Sequence, residues 1–413
     1  MGGREMIGGI VISVFALFAA GCVERSAFET TDESDRVARL ILAAPPADPA
    51  ARLDVRFGDG VVLLGYDIDR NTVEPGGEVT VTWYWRCDEA PGPGWRLFTH
   101  VVDAEGRSRL NQDRVGPLRS HFQPEHWRPG LILKDPQRIR IPRGWGSAAA
   151  ELRVGLWRNA ERMRASGRTA ENDRAKGPRL AVSAGAALPL AIPWTATPPV
   201  IDGDFAGEDA WQGAAALDPF QNTMDGTPAH RPTEVRLMWD AEHLHVAMAA
   251  ADDHLQSRYT AHDDELWNED AFEVFLDPGG DRRHYYEIQV SPAGVVFDSH
   301  LPAYRKNRNA WSSDVSAAVA LQGSLNRDGD EDRGWTAELS IPFASLDQGG
   351  GTPPAPGDVW KVNFFRVDLT SEGRRYSAWS PPLRGDFHAL DRFGPVRFAG
   401  PRAGKGPNGR QVN

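Results

Sequence analysis

Residues 266–277 read Leu266-Trp-Asn-Glu-Asp-Ala-Phe-Glu-Val-Phe-Leu-Asp277, a polar turn with one tryptophan followed by an apolar, strand-forming segment. Upstream lie two segments that alternate with the period of a strand, Val235-Arg-Leu-Met-Trp-Asp240 and Leu244-His-Val-Ala-Met-Ala-Ala-Ala-Asp-Asp253. Their alternation and the short polar turn between them predict a β-hairpin. Trp239 falls on the apolar face of the first strand, so it is predicted to be a core residue.

Composition sets limits on the fold and on the partners. The 413 residues are enough for two domains, and the 42 glycines and 31 prolines suit many turns between short strands. A net charge of −11 argues against a nucleic-acid partner, since phosphate recognition needs a basic face. Composition therefore favours an all-β protein. Together with the N-terminal segment, strand patterns and resemblances described below, the sequence predicts two antiparallel β-sandwich (jelly-roll/Ig-like) domains in tandem, after a lipoprotein signal peptide.

The N-terminus has the features of an exported lipoprotein. Ile7 to Ala20 is an apolar stretch too short for a comfortable membrane span. It ends in Leu17-Phe-Ala-Ala-Gly-Cys22, which resembles a bacterial lipobox, with Cys22 as the lipidated residue. Val23 follows where an Asp would mark inner-membrane retention, so the resemblance implies outer-membrane sorting, facing the periplasm or the cell surface. An ordinary signal peptide with an incidental cysteine is the alternative.

Strand signals recur through the first half of the chain. Val61-Val-Leu-Leu-Gly-Tyr-Asp67 and Val79-Thr-Val-Thr-Trp-Tyr-Trp85 flank a Pro-Gly-Gly turn, and Cys87 continues the alternation as a core residue. Residues 158–180 are charged and aperiodic, which predicts a mobile loop. This half resembles a bacterial jelly-roll-like domain found on surface and glycan-related proteins. Core packing and an exposed sugar platform are both open for its tryptophans, Trp83, Trp85, Trp95, Trp127 and Trp145.

Changes in composition divide the chain into five parts. The predicted order is a signal peptide at 1–22, a flexible tether at 23–50, an N-terminal β-sandwich at 51–190, a second β-sandwich at 195–400, and a disordered tail at 401–413.

The second sandwich resembles the family 9 carbohydrate-binding modules. The resemblance rests on Pro199-Val-Ile-Asp-Gly203 with Trp211, the hairpin, residues 266–277, Gly334-Trp-Thr-Ala-Glu-Leu-Ser-Ile-Pro342, and Phe387-His-Ala-Leu-Asp-Arg-Phe-Gly-Pro-Val-Arg-Phe398. It implies a β-sandwich that holds a sugar between two aromatic rings. Sugar faces pack on flat rings, while hydroxyl groups need directed polar partners.

The resemblance also assigns binding residues. Trp267 matches one wall of the aromatic clamp, and Glu273 matches a carboxylate that binds a hydroxyl group. Phe387 stands where the family has a second tryptophan, and Gln289 stands where the prototype has an arginine. Three further positions match family landmarks and are expected in the cleft or its wall: Trp379, Asn363 and Arg366.

Metal and haem sites are further expectations. Structural calcium is implied by the resemblance, with Asp202, Asp252, Asp270 and Asp277 as candidate ligands. The loop Asp328-Gly-Asp-Glu-Asp332 lacks the glycine and glutamate of a calcium loop, so a solvated hairpin tip is favoured there. A b-type haem electron-transfer domain of the same sandwich superfamily is an alternative function, with Met224, His230, Met248 and His262 as candidate ligands.

The leading hypothesis is a non-catalytic, cell-surface carbohydrate-binding lipoprotein. It would hold a poly- or oligosaccharide for partner glycoside hydrolases, with the membrane contacted through the lipid anchor. No hydrolase landmark, nucleophile motif or phosphate loop rises above chance, so an enzyme is not expected. A structural surface module without a ligand is the remaining alternative.

Overall fold

A computed structural model describes residues 36–106, 109–183, 189–306 and 311–400. These ranges form two β-sandwiches along the chain, which confirms the predicted all-β class. The signal peptide, Cys22 and the C-terminal tail lie outside the described residues. No helix within the described ranges is long and apolar enough to cross a membrane.

The N-terminal sandwich packs a six-stranded sheet on a seven-stranded sheet. Its strands are β1 (Ile41–Leu42), β2 (Ala51–Phe57), β3 (Val61–Ile68), β4 (Thr72–Val73), β5 (Glu78–Cys87), β6 (Arg96–Asp103), β7 (Arg109–Asn111), β8 (Ile132–Arg140), β9 (Ala149–Arg158), β10 (Glu161–Arg162), β11 (Ala165–Ser166), β12 (Ala170–Glu171) and β13 (Arg174–Val182). The six-stranded order is β1-β8-β5-β3-β2-β11. The other sheet runs β12-β13-β9-β6-β7, with β10 paired to β9 and β4 to β13. One short helix, α1 (Pro117–His121), covers β8.

All five tryptophans that were candidates for a sugar platform are core residues. Trp83 and Trp85 are fully buried, because alternate residues of β5 point between the sheets, and Cys87 is buried on the same face. Trp95, Trp127 and Trp145 are at most 8% exposed. The platform hypothesis was therefore wrong, since large β-forming rings bury more apolar area than any other side chain.

Two segments are more ordered than predicted. Within the expected tether, Leu40 is buried and β1 pairs with β8. The expected mobile loop at 158–180 contains β10, β11, β12 and most of β13, which pairs with β9. A bulge between Lys176 and Arg179 interrupts the alternation of β13, which is why the strand pattern was hidden.

The C-terminal sandwich packs an eight-stranded sheet on a five-stranded sheet. Its strands are β14 (Leu190–Ile192), β15 (Ala215–Ala216), β16 (Gln221–Asn222), β17 (Thr233–Trp239), β18 (His243–Ala251), β19 (Ala271–Asp277), β20 (Tyr285–Val290), β21 (Val296–Leu301), β22 (Ser316–Gln322), β23 (Gly334–Pro342), β24 (Val359–Thr370), β25 (Gly373–Ala378) and β26 (Gly394–Phe398). The five-stranded order is β15-β17-β18-β23-β22. The other sheet runs β14-β26-β24-β19-β20-β21, with β25 on β24 and β16 on β25.

The predicted hairpin of this sandwich is confirmed as β17 and β18, and Trp239 is buried in the core as expected. The eight-stranded sheet is buried on both faces at β19 and β20. One face packs against the other sheet through Phe272, Val274 and their neighbours. The opposite face is covered by loops, and its side chains line the cavity described below.

The two sandwiches touch through charged and backbone contacts. Arg140, the last residue of β8, and Arg143, three residues later, both pair with Asp218. Arg392 donates from Nη1 to the backbone oxygen of Gly144 at 3.1 Å. A side chain at Gly144 would lie 2.3 Å from the backbone oxygen of Arg392, so the close approach of the two chains there requires glycine.

Candidate carbohydrate-binding site

A cavity of about 610 Å³ lies on the outer face of the eight-stranded sheet, within the range of ~300–1,000 Å³ typical of small-molecule sites. Its apolar lining consists of Met224, Trp267, Phe275, Phe297, Leu301, Val367, Tyr376 and Phe387. Its polar lining consists of Thr223, Glu273, Glu287, Gln289, Arg305, Arg374 and His388. The cavity is therefore an apolar bowl with charged and amide groups on its floor and rim.

Strand alternation explains how this floor forms. On β19, Phe272 and Val274 point into the core, so Glu273 and Phe275 point to the other face, into the cavity. Glu273 lies directly opposite Gln289 on the neighbouring β20, and Glu287, two residues earlier on β20, shares the same face. Three polar side chains thus converge on the floor from two adjacent strands.

The floor carboxyl groups are buried in low-dielectric surroundings. Glu273 is 2% exposed and Glu287 is 8% exposed. Burial, and then the nearby Glu287 carboxylate, raise the pKa of Glu273 well above its usual range. Burial raises the pKa of Glu287 to about 7, although a hydrogen bond from Gln289 and the charge of Arg305 oppose that rise. The floor therefore carries less than two negative charges at neutral pH.

Part of the hydrogen-bonding capacity of the floor is unused. The Nε2 atom of Gln289 donates to Oε1 of Glu287 at 2.7 Å. Within the described part of the chain, Oε1 of Glu273 and Oε1 of Gln289 are buried without a hydrogen-bond partner. A buried polar atom left unpaired costs about 1–3 kcal/mol. A ligand hydroxyl group that reached these two buried oxygens would recover that energy.

Two aromatic rings stand at the sides of the cavity. Trp267 is 37% exposed, and its ring meets Phe297 edge-on at a centroid distance of 5.2 Å. Phe387 is half-buried and stacks on Phe365 at 4.2 Å with an interplanar angle of 9°. The position of Trp267 follows from a short 3₁₀ turn, Leu266–Asn268, which ends just before β19. An exposed indole beside unsatisfied floor oxygens is the arrangement that suits a sugar ring.

The rim adds groups that the sequence analysis did not single out. His388 accepts or shares a hydrogen bond with the Tyr285 hydroxyl at 2.8 Å, and burial lowers the pKa of His388 to about 4, so its imidazole is neutral at pH 7. Arg305 is held by Asp386 at 2.8 Å. The sequence contained one usable signal: Glu287 is two residues from Gln289 in a strand, so the two had to share a face.

Four of the seven predicted binding residues therefore meet in one cavity: Trp267, Glu273, Gln289 and Phe387. The other three do not line it. Trp379 is 4% exposed and packs in the inter-sheet core, where Gly394 leaves room for its ring. Asn363 donates to the backbone oxygen of Ser380 at 2.8 Å and accepts its N–H, which ties β24 to the segment after β25.

Arg366 is also structural. Its side chain is 1% exposed and donates to Oδ2 of Asp252 at 3.0 Å. The expectation that these three residues serve the cleft was wrong. On β24, Asn363 and Arg366 are directed to buried polar partners, and Trp379, just after β25, is directed to the core. Their match to family landmarks reflects packing of the sandwich rather than contact with the cavity.

Three buried acids form a cluster that could hold the expected calcium ion. Asp252, Asp270 and Asp368 place ligand oxygens within 4.8 Å of one another, and all three are buried. Arg231 and Arg366 supply two positive charges against these three carboxyl groups. The pKa of Asp270 is raised to about 8, first by burial and then by Asp252. At neutral pH the Asp270 carboxyl group is therefore largely protonated, and the two arginines balance the other two acids. A hard cation that displaced this proton would meet an all-oxygen donor set.

The other candidate calcium ligands lie elsewhere. Asp202 is exposed beside β23, and Asp277 lies at the far end of β19, where it accepts the N–H of Arg282. The acidic loop of residues 328–332 is an exposed tip between β22 and β23, with Asp332 tying it to Leu255. Asp368 was missed by the sequence analysis because it lies near the end of a largely apolar strand, β24, distant in sequence from the other acids.

The candidate haem ligands are dispersed. Met248 is fully buried between the sheets, and Met224 is 55% exposed at the cavity rim. His230 is exposed at the junction of the two sandwiches, and His262 is exposed beside Asp263. The structure does not bring these four side chains together, so the haem alternative gains no support from geometry.

Comparison with known proteins matches the C-terminal sandwich to one family. Residues 201–400 match the family described as carbohydrate family 9 binding domain-like. Endo-1,4-beta-xylanase A of Thermotoga neapolitana is 23% identical over 202 residues, which cover 48% of this chain and 17% of the xylanase. Exoglucanase XynX of Acetivibrio thermocellus is 25% identical over 210 residues, covering 50% of this chain and 17% of that protein. The chain thus spans about a sixth of the length of these relatives.

Solved structures of carbohydrate-binding modules also match about half of this chain. One is a carbohydrate-binding module of family 9 from Caldicellulosiruptor kristjanssonii in complex with cellotriose, which is 17% identical to this chain. The match covers 54% of this chain and 98% of the module, with a TM-score of 0.37. The same organism's module in complex with glucose is 18% identical, covers 52% and 100%, and has a TM-score of 0.37. By the family match and the xylanase relatives, residues 201–400 are similar, over nearly half of this chain, to carbohydrate family 9 binding domains of the kind found in bacterial xylanases.

Proposed function

We propose that the C-terminal sandwich binds the end or edge of a glycan chain in the cavity beside Trp267. The observation that carries this proposal is an exposed indole beside two buried floor oxygens, on Glu273 and Gln289, that have no hydrogen-bond partner among the described residues. An apolar ring face takes the C–H face of a sugar, while the floor oxygens accept hydrogen bonds from its hydroxyl groups. The match of residues 201–400 to a carbohydrate-binding family supports the same ligand class.

The geometry favours binding over hydrolysis. A glycosidase places its two carboxyl groups on either side of the scissile bond. Glu273 and Glu287 instead lie on adjacent strands as diagonal neighbours of one sheet face, so both would lie beneath a bound sugar. We therefore propose a non-catalytic receptor.

The wider role follows as part of the same proposal. A lipid on Cys22 would anchor the chain in the outer membrane, with the first sandwich between the anchor and the glycan site. Such a receptor would hold a poly- or oligosaccharide for partner glycoside hydrolases. A calcium ion held by Asp252, Asp270 and Asp368 would stabilise the sandwich and take no part in sugar contact.

A glycan array tests the proposal. The soluble chain beginning at residue 23 is screened in calcium beside Trp267→Ala, and the expected result is retention of a glycan that the variant loses. Leu321→Ala is a matched control, since Leu321 is also 37% exposed but lies on β22 of the opposite sheet. Equal retention by all three proteins, or none by the unmodified chain, would refute the proposal, and the absorbance spectrum of the same sample tests for haem.

A further inference from the structure

The N-terminal sandwich carries a second groove that the proposed function does not use. Two adjoining cavities, of about 410 and 740 Å³, share Asn111, Asp113 and Trp157 as lining residues. The smaller cavity lies over the outer face of the seven-stranded sheet. The larger one extends to the C-terminal sandwich, where Asn222 and Asp225 form part of its wall.

Strand alternation directs Trp157 into this groove. Leu152, Val154 and Leu156 of β9 point into the core, so Trp157 points outward and remains half-buried. Phe98 of the neighbouring β6 shares this outer face. A side chain at Gly155 would lie 2.7 Å from the Phe98 ring, so glycine there allows the ring to lie against the sheet.

Three buried polar atoms on the lining of the larger cavity lack hydrogen-bond partners in the described ranges. They are Nη1 of Arg119, Oε1 of Gln123 and Nε1 of Trp157. Arg119 is 3% exposed, and its other guanidinium nitrogens bind Asp135 and Thr99. The residues that line the groove therefore hold two unused donors and one unused acceptor beside an aromatic ring. Each unpaired atom costs free energy that a ligand with several hydroxyl groups would recover.

The charges of the larger cavity are balanced. Three arginines, Arg96, Arg114 and Arg375, face three acids, Asp113, Asp225 and Glu372, while Arg119 is neutralised by Asp135. A strongly charged ligand would meet groups of its own sign, whereas an uncharged ligand that donates and accepts hydrogen bonds would not.

The wall from the second sandwich is held against β7. Gly226 approaches so closely that a side chain there would lie 2.5 Å from Leu110. The N–H of Asn111 donates to the backbone oxygen of Asp225 at 2.5 Å. The same loop contributes Thr223 and Met224 to the cavity beside Trp267. The groove is thus built from both sandwiches and adjoins the first site across a single loop.

We propose that the groove around Trp157 is a second binding site, for an uncharged oligosaccharide, and that the chain contacts glycans through both of its sandwiches. The indole supplies the stacking surface, and Arg119, Gln123 and Asn111 supply the hydrogen bonds. This proposal does not depend on the cavity beside Trp267, so an experiment can refute either site assignment without refuting the other.

The test uses the chain beginning at residue 23 on an array of plant and microbial oligosaccharides of at least six sugar units. Trp267→Ala is expected to keep binding at least one glycan, and Trp157→Ala added to it is expected to weaken that binding at least tenfold. Trp157→Phe in the same background should recover part of it, because a stacking ring remains.

Two outcomes would overturn the inference: no binding of any glycan by Trp267→Ala, or undiminished binding after Trp157→Ala is added. Because Trp157→Ala can disturb folding, Arg114→Ala is a second variant whose exposed side chain is not part of the core. Arg114→Ala should weaken the binding of the same glycan several-fold while leaving the Tm of the protein unchanged. Arg138→Ala, an exposed arginine on the opposite sheet, should leave binding unchanged.

Discussion

Glu287→Gln should stabilise the protein at pH 8 and leave its stability unchanged at pH 4. The folded state raises the pKa of Glu287 from its ordinary 4.5 to about 7, chiefly by burial. A raised carboxyl pKa means that folding favours the protonated form, so stability is lost as the pH rises from 4.5 through 7. That difference in pKa corresponds to roughly 3 kcal/mol above pH 7. A glutamine never ionises and escapes this loss.

In the unmodified chain, Nε2 of Gln289 donates to Oε1 of Glu287 at 2.7 Å. The amide oxygen of the variant can still accept this hydrogen bond, so the local contact is kept. For a domain of this size, roughly 3 kcal/mol corresponds to an increase in Tm of roughly 6–12 °C. Differential scanning calorimetry of both proteins at pH 4 and pH 8, without ligand, measures this difference in Tm. At pH 4 the carboxyl group is protonated in the folded state, so the two proteins should melt together.

Glu234→Gln is the control, since its side chain is 50% exposed and its Tm should change little at either pH. A destabilised Glu287→Gln at pH 8, or the same change in Tm at both pH values, would refute the account of the buried floor carboxyl groups. Glycan binding by Glu287→Gln should fall even as stability rises, because a ligand-binding floor carries a cost in stability.

Three further predictions concern the core, the metal and the anchor. Trp379→Ala should cost about 3–5 kcal/mol in urea unfolding, as for buried tryptophans, and Trp267→Ala should cost less than half of that; the reverse order would make Trp267 the core residue. Calcium should raise the Tm of the unmodified chain but not of Asp270→Asn; a Tm indifferent to calcium and chelator would leave Asp252, Asp270 and Asp368 as a purely ionic cluster. Cys22→Ala should move the protein from the membrane fraction to the soluble fraction, and persistent membrane association would contradict lipidation.

Much of the fold could be predicted because the strands alternate regularly. Trp83, Trp85 and Cys87 share one face of β5, and Trp239 lies on the core face of β17, as the period of two requires. Prediction failed where alternation is broken or a strand is very short. The bulge in β13 hid a nine-residue strand, and Ile41–Leu42 is too short to give a pattern.

The candidate site was predictable in part. Residues 266–277 place Trp267 before a strand and Glu273 within it, and the structure puts both in the cavity. Arg305 and His388 reach the cavity from loops far apart in sequence, so periodicity held no signal for them. Landmark matching could not separate Arg366 from the site residues, because a residue type and its spacing do not say whether a side chain faces a buried partner or a cavity.

The first half shows the same limit. Five tryptophans were considered for sugar contact there, and all five are buried. The indole that does reach a groove is Trp157, at the end of β9, where the alternation of the strand points it away from the core. Strand phase, rather than residue type, decides which aromatic ring meets solvent.

The most direct test of the central claim is a crystal structure of the soluble chain with the oligosaccharide that it binds best on the array. The account predicts a sugar ring against the face of Trp267, with hydroxyl groups within hydrogen-bond distance of Oε1 of Glu273 and Oε1 of Gln289. A sugar bound only elsewhere, with the cavity beside Trp267 free of it, would contradict the assignment of this cavity as the glycan site.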